Sequence, residues 1–448
     1  MSKHPNVVFV LSDQHRAQDL GYTGNPDVKT PHLDALKNQS LCVTTAVAGI
    51  PVCTPMRACL LTGQYPLTNG IFLNDIYLRP TAISLAAAFA EGGYDTAYIG
   101  KWHIDGHGRS GYIPPERRLG FDYWRALECT HSYNDSRYYA DNEKEPRKWA
   151  GYDAEAQTEC AIDYISNRGG SKPFFLMLSW GPPHAPYTGA PEPYASMYEP
   201  GKIQLRSNVS EEAQAVARVD IAGYYAHISA LDEYIGRLSR KLEELGAAGD
   251  TIFIYTSDHG DMLGSQGNIK KQQPWDESIL VPFLIRYPKL LGSAGREENT
   301  PINTPDIMPT LLEMAGLPIP HTVEGNSYAS FFQHNAEKPA DAALIQCVSP
   351  FGQWSRQHGG KEYRGIRTDQ YTYVRDLGGP WLLYDNKADP FQLENLCNAQ
   401  SSGDIQLELD RMLSAMLADR HDRFLDGDAY VKMWDYPVGE NGTVPWEW

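Results

Sequence analysis

Apolar and polar positions along this chain fall into two kinds of run. Val7-Val8-Phe9-Val10-Leu11, Asp95 to Ile99, Phe174 to Leu178 and Thr251 to Thr256 are short and rich in β-branched or aromatic residues, with little or no polar alternation. Such runs predict strands buried on both faces, as in a parallel sheet. Between them lie helical patterns. Thr30 to Leu36 reads as a helix start with proline in the first turn, and Ala82 to Ala90 has helical composition. From Asn208 the chain predicts a long helix, on which Ile221, Tyr224, Ile228, Leu231, Ile235, Leu238, Leu242 and Leu245 step by three and four to form one apolar stripe. The stripe ends at Gly246, which favours core packing over a coiled coil, and the helix is expected to carry the chain back across the sheet in a right-handed crossover.

Asp306 to Leu312 starts another helix, and the polar stretch Gln333 to Asp341 marks a boundary. Beyond it, Tyr363 to Arg375 alternates as a strand does, a final helix covers Ile405 to Met416, and an aromatic tail holds Trp434, Trp446 and Trp448. The organisation expected is a larger unit over residues 1–338 and a smaller one over 339–448.

Composition narrows the function. A chain of 448 residues with 42% hydrophobic and 21% charged content forms a sizeable core and leaves no room for long disorder. The 39 basic and 56 acidic residues give a net charge of −17, which argues against a nucleic-acid surface, so an anionic substrate must be met by a local basic site. No apolar run approaches the ~20 residues of a membrane span. The first strand follows Met1-Ser2-Lys3-His4-Pro5 directly, so the chain as written is expected to be cytoplasmic, or periplasmic or secreted if a leader has been removed. Seven cysteines, at 42, 53, 59, 129, 160, 347 and 397, are scattered and odd in number, which favours reduced thiols.

The strand ends carry the candidate chemistry. Ser12-Asp13-Gln14-His15, Gly100-Lys101-Trp102-His103, Trp180-Gly181-Pro182-Pro183-His184-Ala185-Pro186 and Ser257-Asp258-His259-Gly260 each follow one apolar run. In open α/β sheets ligands gather beyond the carboxyl ends of the strands. Two acidic residues delivered there, Asp13 and Asp258, suit a hard cation.

Pro51-Val52-Cys53-Thr54-Pro55-Met56-Arg57 through Thr62-Gly63 resembles the Cys-x-Pro-x-Arg signature of the type I sulfatases. The Gly-Lys-Trp-His element, the Pro-His-x-Pro element at His184, the Asp258-His259 pair and Trp275 to Pro282 resemble further motifs of that family, in the same order. Taken singly each has a plainer reading: Cys53 as a buried cysteine before a helix, the histidines as core residues, Lys270-Lys271 as a solvated face. Their ordered coincidence from Asn6 to Leu396 favours the family.

The resemblance implies a doubly wound α/β fold of the alkaline phosphatase-like kind, with a mostly parallel sheet flanked by helices. It also implies a smaller α+β C-terminal subdomain, an antiparallel sheet plus helix. The implied activity is hydrolysis of sulfate monoesters by formylglycine, made from Cys53 by a maturation enzyme. Arg57, Lys101, His103, His184 and Lys271 take the other catalytic positions, and Asp13, Gln14, Asp258 and His259 hold a metal. Ca²⁺ is favoured for the hard oxygen ligands, with Mg²⁺ or Mn²⁺ as alternatives; Gln14 in place of a carboxylate and the nitrogen of His259 soften the site towards Mn²⁺ or Zn²⁺. Asn74, His131, Trp354 and His358 are candidates for substrate contact, and the aromatic and basic residues of the 131–149 arm favour a sugar, as small molecule or oligosaccharide. The competing readings are a phosphonate monoester or phosphodiester hydrolase with the same nucleophile, and a binding protein in which Cys53 is never converted.

Overall fold

The computed structural model describes residues 4–168 and 172–445. Among these, ten strands form the main sheet, and its middle follows the apolar runs. Asn6–Asp13 lies between Phe174–Pro183 and Thr251–Ser257, parallel to both. Asp95–Lys101 and then Tyr123–Leu127 continue in the same direction beyond Phe174–Pro183. On the opposite side Phe283–Arg286 runs antiparallel to Thr251–Ser257 and leads to the short Leu41–Val43 and Arg296–Glu298 strands.

Both faces of the central strand are covered, which is why it has no polar side. Val7, Phe9 and Leu11 pack against Met56 and Leu60 of the Cys53–Thr62 helix, Leu85 and Phe89 of Leu85–Glu91, and Met308, Leu311 and Leu312 of Thr304–Met314. Val8 and Val10 face the other way, onto Leu231, Ile235, Leu238 and Leu242 of the Gln214–Glu244 helix and Ala161 and Ile165 of Asp153–Ser166. This is the helix–sheet–helix layering of a doubly wound fold. A second, four-stranded antiparallel sheet runs through Ala342–Cys347, Tyr363–Thr368, Tyr371–Asp376 and Gly379–Asp385, and the Gly403–Asp419 helix buries Leu409, Leu413 and Leu417 against it.

Several boundaries differ from the sequence expectation. The long helix starts at Gln214 rather than near Asn208, because the Asn208 side chain is committed to Glu277 Oε1 (2.7 Å) and Phe391 O (3.0 Å). Leu245 is exposed just past its last turn, so the apolar stripe closes at Leu242. The Ala-rich helix starts at Leu85, where Ser84 Oγ accepts the Ala87 amide as an N-cap. The Tyr363 to Arg375 segment is two strands separated by a turn at Asp369-Gln370. The 131–149 arm is built into the fold: Arg137–Ala140 and Arg147–Lys148 extend the edge of the main sheet, and Trp149 is buried with Tyr138 stacked on it. A helix at Gly427–Trp434 had no counterpart in the sequence reading. Trp446 and Trp448 of the aromatic tail lie outside the described residues.

Candidate active site

The Cys53–Thr62 helix is buried along its whole length, so its first amides need partners inside the protein. Asn74 Oδ1 accepts the Thr54 amide at 3.0 Å, which sets the entry of the helix and with it the Cys53 side chain. Gly63 ends the helix in the left-handed region, φ 64°, where glycine is favoured, and its amide reaches Cys59 O.

Strand ends bring the remaining groups to Cys53. Lys271 Nζ donates to Cys53 Sγ and to His184 Nε2, both at 2.9 Å. His259 Nε2 lies 3.2 Å from Cys53 Sγ, and Sγ lies 3.7 Å from Asp13 Oδ1. Lys101 Nζ donates to Asp13 Oδ2 at 2.6 Å. Lys101 can leave the sheet at this point because Gly100, φ 106°, has no Cβ; one there would stand 2.0 Å from Ser179 O. Arg57 spans the two acidic strand ends, with one terminal nitrogen 3.1 Å from both Asp13 Oδ2 and Asp258 Oδ2. Its other terminal nitrogen donates to Lys101 O and Ser179 Oγ, while Nε is buried with no partner among the described residues.

Two histidines have their tautomers set by backbone carbonyls. His259 Nδ1 donates to Gly260 O (2.9 Å) and His184 Nδ1 to Ala185 O (2.7 Å), which turns the Nε2 atom of each toward the centre. His131 stacks on His184 with ring centroids 4.6 Å apart. His103 is buried with Nε2 3.4 Å from Asp75 Oδ1, and Asp75 is clamped by Arg109 at 3.0 and 2.8 Å.

Charge balance follows from this crowding. Burial works against ionisation of Asp13, but the cations Lys101, Lys271 and Arg57 hold its carboxyl well below the usual range. Burial and the Asp13 charge push the Asp258 carboxyl up to about 6, opposed by His259 and Arg57. Burial and the Asp13 charge would raise the Cys53 thiol, yet Lys101, Lys271 and His259 bring it well below an ordinary thiol. Burial, then Lys271, keeps His184 neutral, and burial with Lys101 lowers His131 to about 3.

The site fits a divalent cation. One ligand atom each from Asp13, Cys53, Asp258 and His259 lie within 4.8 Å of one another. Gln14 joins them: its backbone amide donates to Asp258 Oδ1 (3.0 Å), its Nε2 donates to Asp261 Oδ2 (2.6 Å) and Tyr187 Oη (3.3 Å), and its Oε1 is buried without a partner among the described residues. Gln14 adopts φ 69°, in the left-handed region that side-chain-bearing residues uncommonly adopt.

Two candidates make no hydrogen bond to the groups around Cys53 among the described residues. Trp354 is buried in an apolar cluster with Ile279, Leu280, Ile345 and Trp275, because the second sheet needs a large apolar side chain there. His358 is exposed, with Nδ1 at 2.8 Å from Ser355 Oγ, and serves its own turn. The sequence reading did not single out Asp261, Tyr187, Ser179, Asp75 or Arg109. Asp261 alone offered a signal, three residues after Asp258 at the same strand end.

Residues 5–317 match the Sulfatase family model, and residues 264–419 match the model described as N-sulphoglucosamine sulphohydrolase, C-terminal. The chain belongs to the sulfatase family. It is 44% identical over 448 residues to an ulvan-active sulfatase of Formosa agariphila, covering 99% of this chain and 87% of that one. A solved Bacteroides thetaiotaomicron structure from work on the metabolism of multiple glycosaminoglycans superimposes with a TM-score of 0.85 at 28% identity, covering 96% of this chain and 99% of that one. A structure solved in complex with its substrate D-glucosamine-2-N,6-O-disulfate is similar at a TM-score of 0.80 and 25% identity, over 94% of this sulfatase and 99% of its own chain. The sulfatase is accordingly a sulfuric ester hydrolase.

Proposed function

We propose that this sulfatase cleaves sulfate monoesters of a carbohydrate, with Cys53 matured to formylglycine by a separate enzyme and a divalent cation, Ca²⁺ in first place, held by Asp13, Gln14, Asp258 and His259. The observation that carries the reading is the convergence of Lys271 Nζ, His259 Nε2 and Asp13 Oδ1 on Cys53 Sγ at 2.9, 3.2 and 3.7 Å. A thiol needs no such surroundings to pack, whereas an oxygen nucleophile and a sulfate dianion do. The glucosamine disulfate bound by one structural relative supports a sugar as the alcohol part.

When bound, the cation supplies Lewis-acid polarisation of the sulfate oxygens. Formylglycine, as its hydrate, supplies the attacking oxygen and a second hydroxyl through which sulfate is later released. Lys101 Nζ and Lys271 Nζ bring two positive charges to the sulfate, fixed before the reaction begins. Arg57 holds the two carboxylates at their spacing, and its Nε is the donor left for an oxygen at position 53. Lys271 Nζ, held by the His184 Nε2 lone pair, is placed to pass a proton to the departing sugar oxygen. His103, backed by Asp75, would hold a proton for exchange beside position 53.

The test has two parts. Mass spectrometry of the peptide carrying Cys53, from the natural host, is expected to show loss of the thiol; an active enzyme carrying only cysteine overturns the reading. Turnover of sulfated mono- and disaccharides is then compared with that of aryl sulfates, and an aryl phosphonate with a matched leaving group is expected to react more slowly. Faster phosphonate cleavage would move the protein to the competing hydrolase reading.

A further inference from the structure

Residues 420–445 lie beyond both regions matched by the family models, yet the segment returns to the main sheet. Tyr436 Oη donates to Gly70 O (2.6 Å), and the Gly352 amide donates to Asn441 O (3.0 Å). Gly439 to Pro445 closes a cavity of about 260 Å³ whose opposite wall is Leu73, Asn74, Asp75, Arg109 and Phe351.

That opposite wall is tied at three points to the neighbours of catalytic positions. Asn74 Oδ1 holds the amide of Thr54, next to Cys53. Asp75 stands against His103. Phe351 exchanges two hydrogen bonds with the side chain of Gln272, next to Lys271: Gln272 Nε2 donates to Phe351 O (2.9 Å), and the Phe351 amide donates to Gln272 Oε1 (3.3 Å). Each of these three residues thus connects the cavity wall to the neighbour of a catalytic position or to His103 itself.

Its lining is mixed in a particular way. Leu73, Phe351 and Val444 are apolar, while the Arg109–Asp75 pair presents rigid donors and acceptors whose charges cancel. A sugar ring has the same two aspects, an apolar C–H face and a hydroxyl edge. We propose that Gly439 to Pro445, together with Arg109 and Asp75, forms the subsite for the sugar ring bearing the sulfate, so that the C-terminal segment selects the sugar. This rests on the carbohydrate reading above.

The experiment uses the full-length mature enzyme, the sulfated disaccharide it turns over fastest, and 4-nitrophenyl sulfate as the sugar-free probe. Thr443→Trp places bulk on the exposed tail side of the cavity, and Arg109→Lys changes the opposite side while keeping a cation against Asp75. Each is expected to lower the ratio of the two kcat/KM values, saccharide over aryl sulfate, at least tenfold through the saccharide KM. Leu407→Ser, on the outer face of the Gly403–Asp419 helix, is expected to leave that ratio unchanged. An unchanged ratio in Thr443→Trp, or equal losses on both substrates, overturns the subsite while leaving carbohydrate sulfatase activity standing. A wild-type enzyme that cleaves aryl sulfate but no sulfated saccharide overturns the carbohydrate reading and the subsite with it.

Discussion

Lys271 Nζ lies 2.9 Å from Cys53 Sγ, although 218 residues separate the two. The adjacent Lys270 is partly exposed and contributes its carbonyl to Met262 N (2.7 Å). Paired lysines in sequence look equivalent, and only the register decides which one faces the nucleophile. Lys271→Ala is expected to lower kcat on a sulfate ester by about 10²–10³, the scale of losing one fixed donor to transition-state charge. Lys270→Ala is expected to stay within about twofold, as an exposed substitution does. Steady-state kinetics on one substrate checks both; equal losses would mean that the register is wrong.

Gln14 is held by Asp261 as much as by its own strand. The 2.6 Å bond from Gln14 Nε2 to Asp261 Oδ2 fixes the amide so that Oε1 is the atom left over. Removing an outer partner of a metal ligand typically costs 10–100-fold in affinity. Asp261→Asn and Gln14→Ala are therefore both expected to weaken Ca²⁺ binding by at least about tenfold, read by calorimetry on the metal-depleted protein and by metal content after dialysis. Unchanged affinity in both variants would remove Gln14 from the ligand set.

How much of this was legible in the chain depends on whether a residue's role is set locally. The central strands announced themselves because burial on both faces forbids polar alternation. Asp13, Lys101, His184 and Asp258 were found because topology places every strand end of a parallel sheet on one side. Asp75 and Arg109 were not, since their pairing across 34 residues is decided by how two irregular stretches fold against each other. Trp354, a candidate for substrate contact, is buried for the same kind of reason: Ile345 and Trp275 pack around it. The Gly427–Trp434 helix left one trace, Asp426 as an N-cap that accepts the Ala429 amide, too short a signal to outweigh the glycine after it.

Arg364 and Asp422 form a buried pair that joins the second sheet to the C-terminal segment. Arg364 is fully buried; its Nε and one terminal nitrogen bind Asp422, and the other terminal nitrogen donates to Cys347 O and Tyr363 O. Breaking such a pair strands a charge, at a typical cost of about 3–5 kcal/mol. Arg364→Ala is expected to lower stability by about that amount in chemical denaturation. The double variant Arg364→Met with Asp422→Leu is expected to recover part of the loss, because no charge is then left unpaired. A double variant less stable than Arg364→Ala would show that the backbone contacts of Arg364 dominate.

Asp153 opens the Asp153–Ser166 helix from a buried position, with Oδ1 unpartnered among the described residues, and burial raises its carboxyl to about 7 despite hydrogen bonds from Ser136 and the Ala154 amide. An unfolded aspartate titrates near 3.9. Between those values the native state binds the extra proton, so this group makes stability fall as pH rises from about 4 to about 7 and contributes no further slope above. The amount lost over that interval is on the order of a few kcal/mol. Asp153→Asn keeps the shape and removes the ionisation, so the variant is expected to gain on the wild type as pH increases across this range, with the gap level beyond pH 8. Urea denaturation midpoints at pH 5, 6, 7 and 8 measure it, and parallel curves for the two proteins would mean that Asp153 is ionised in the native state throughout.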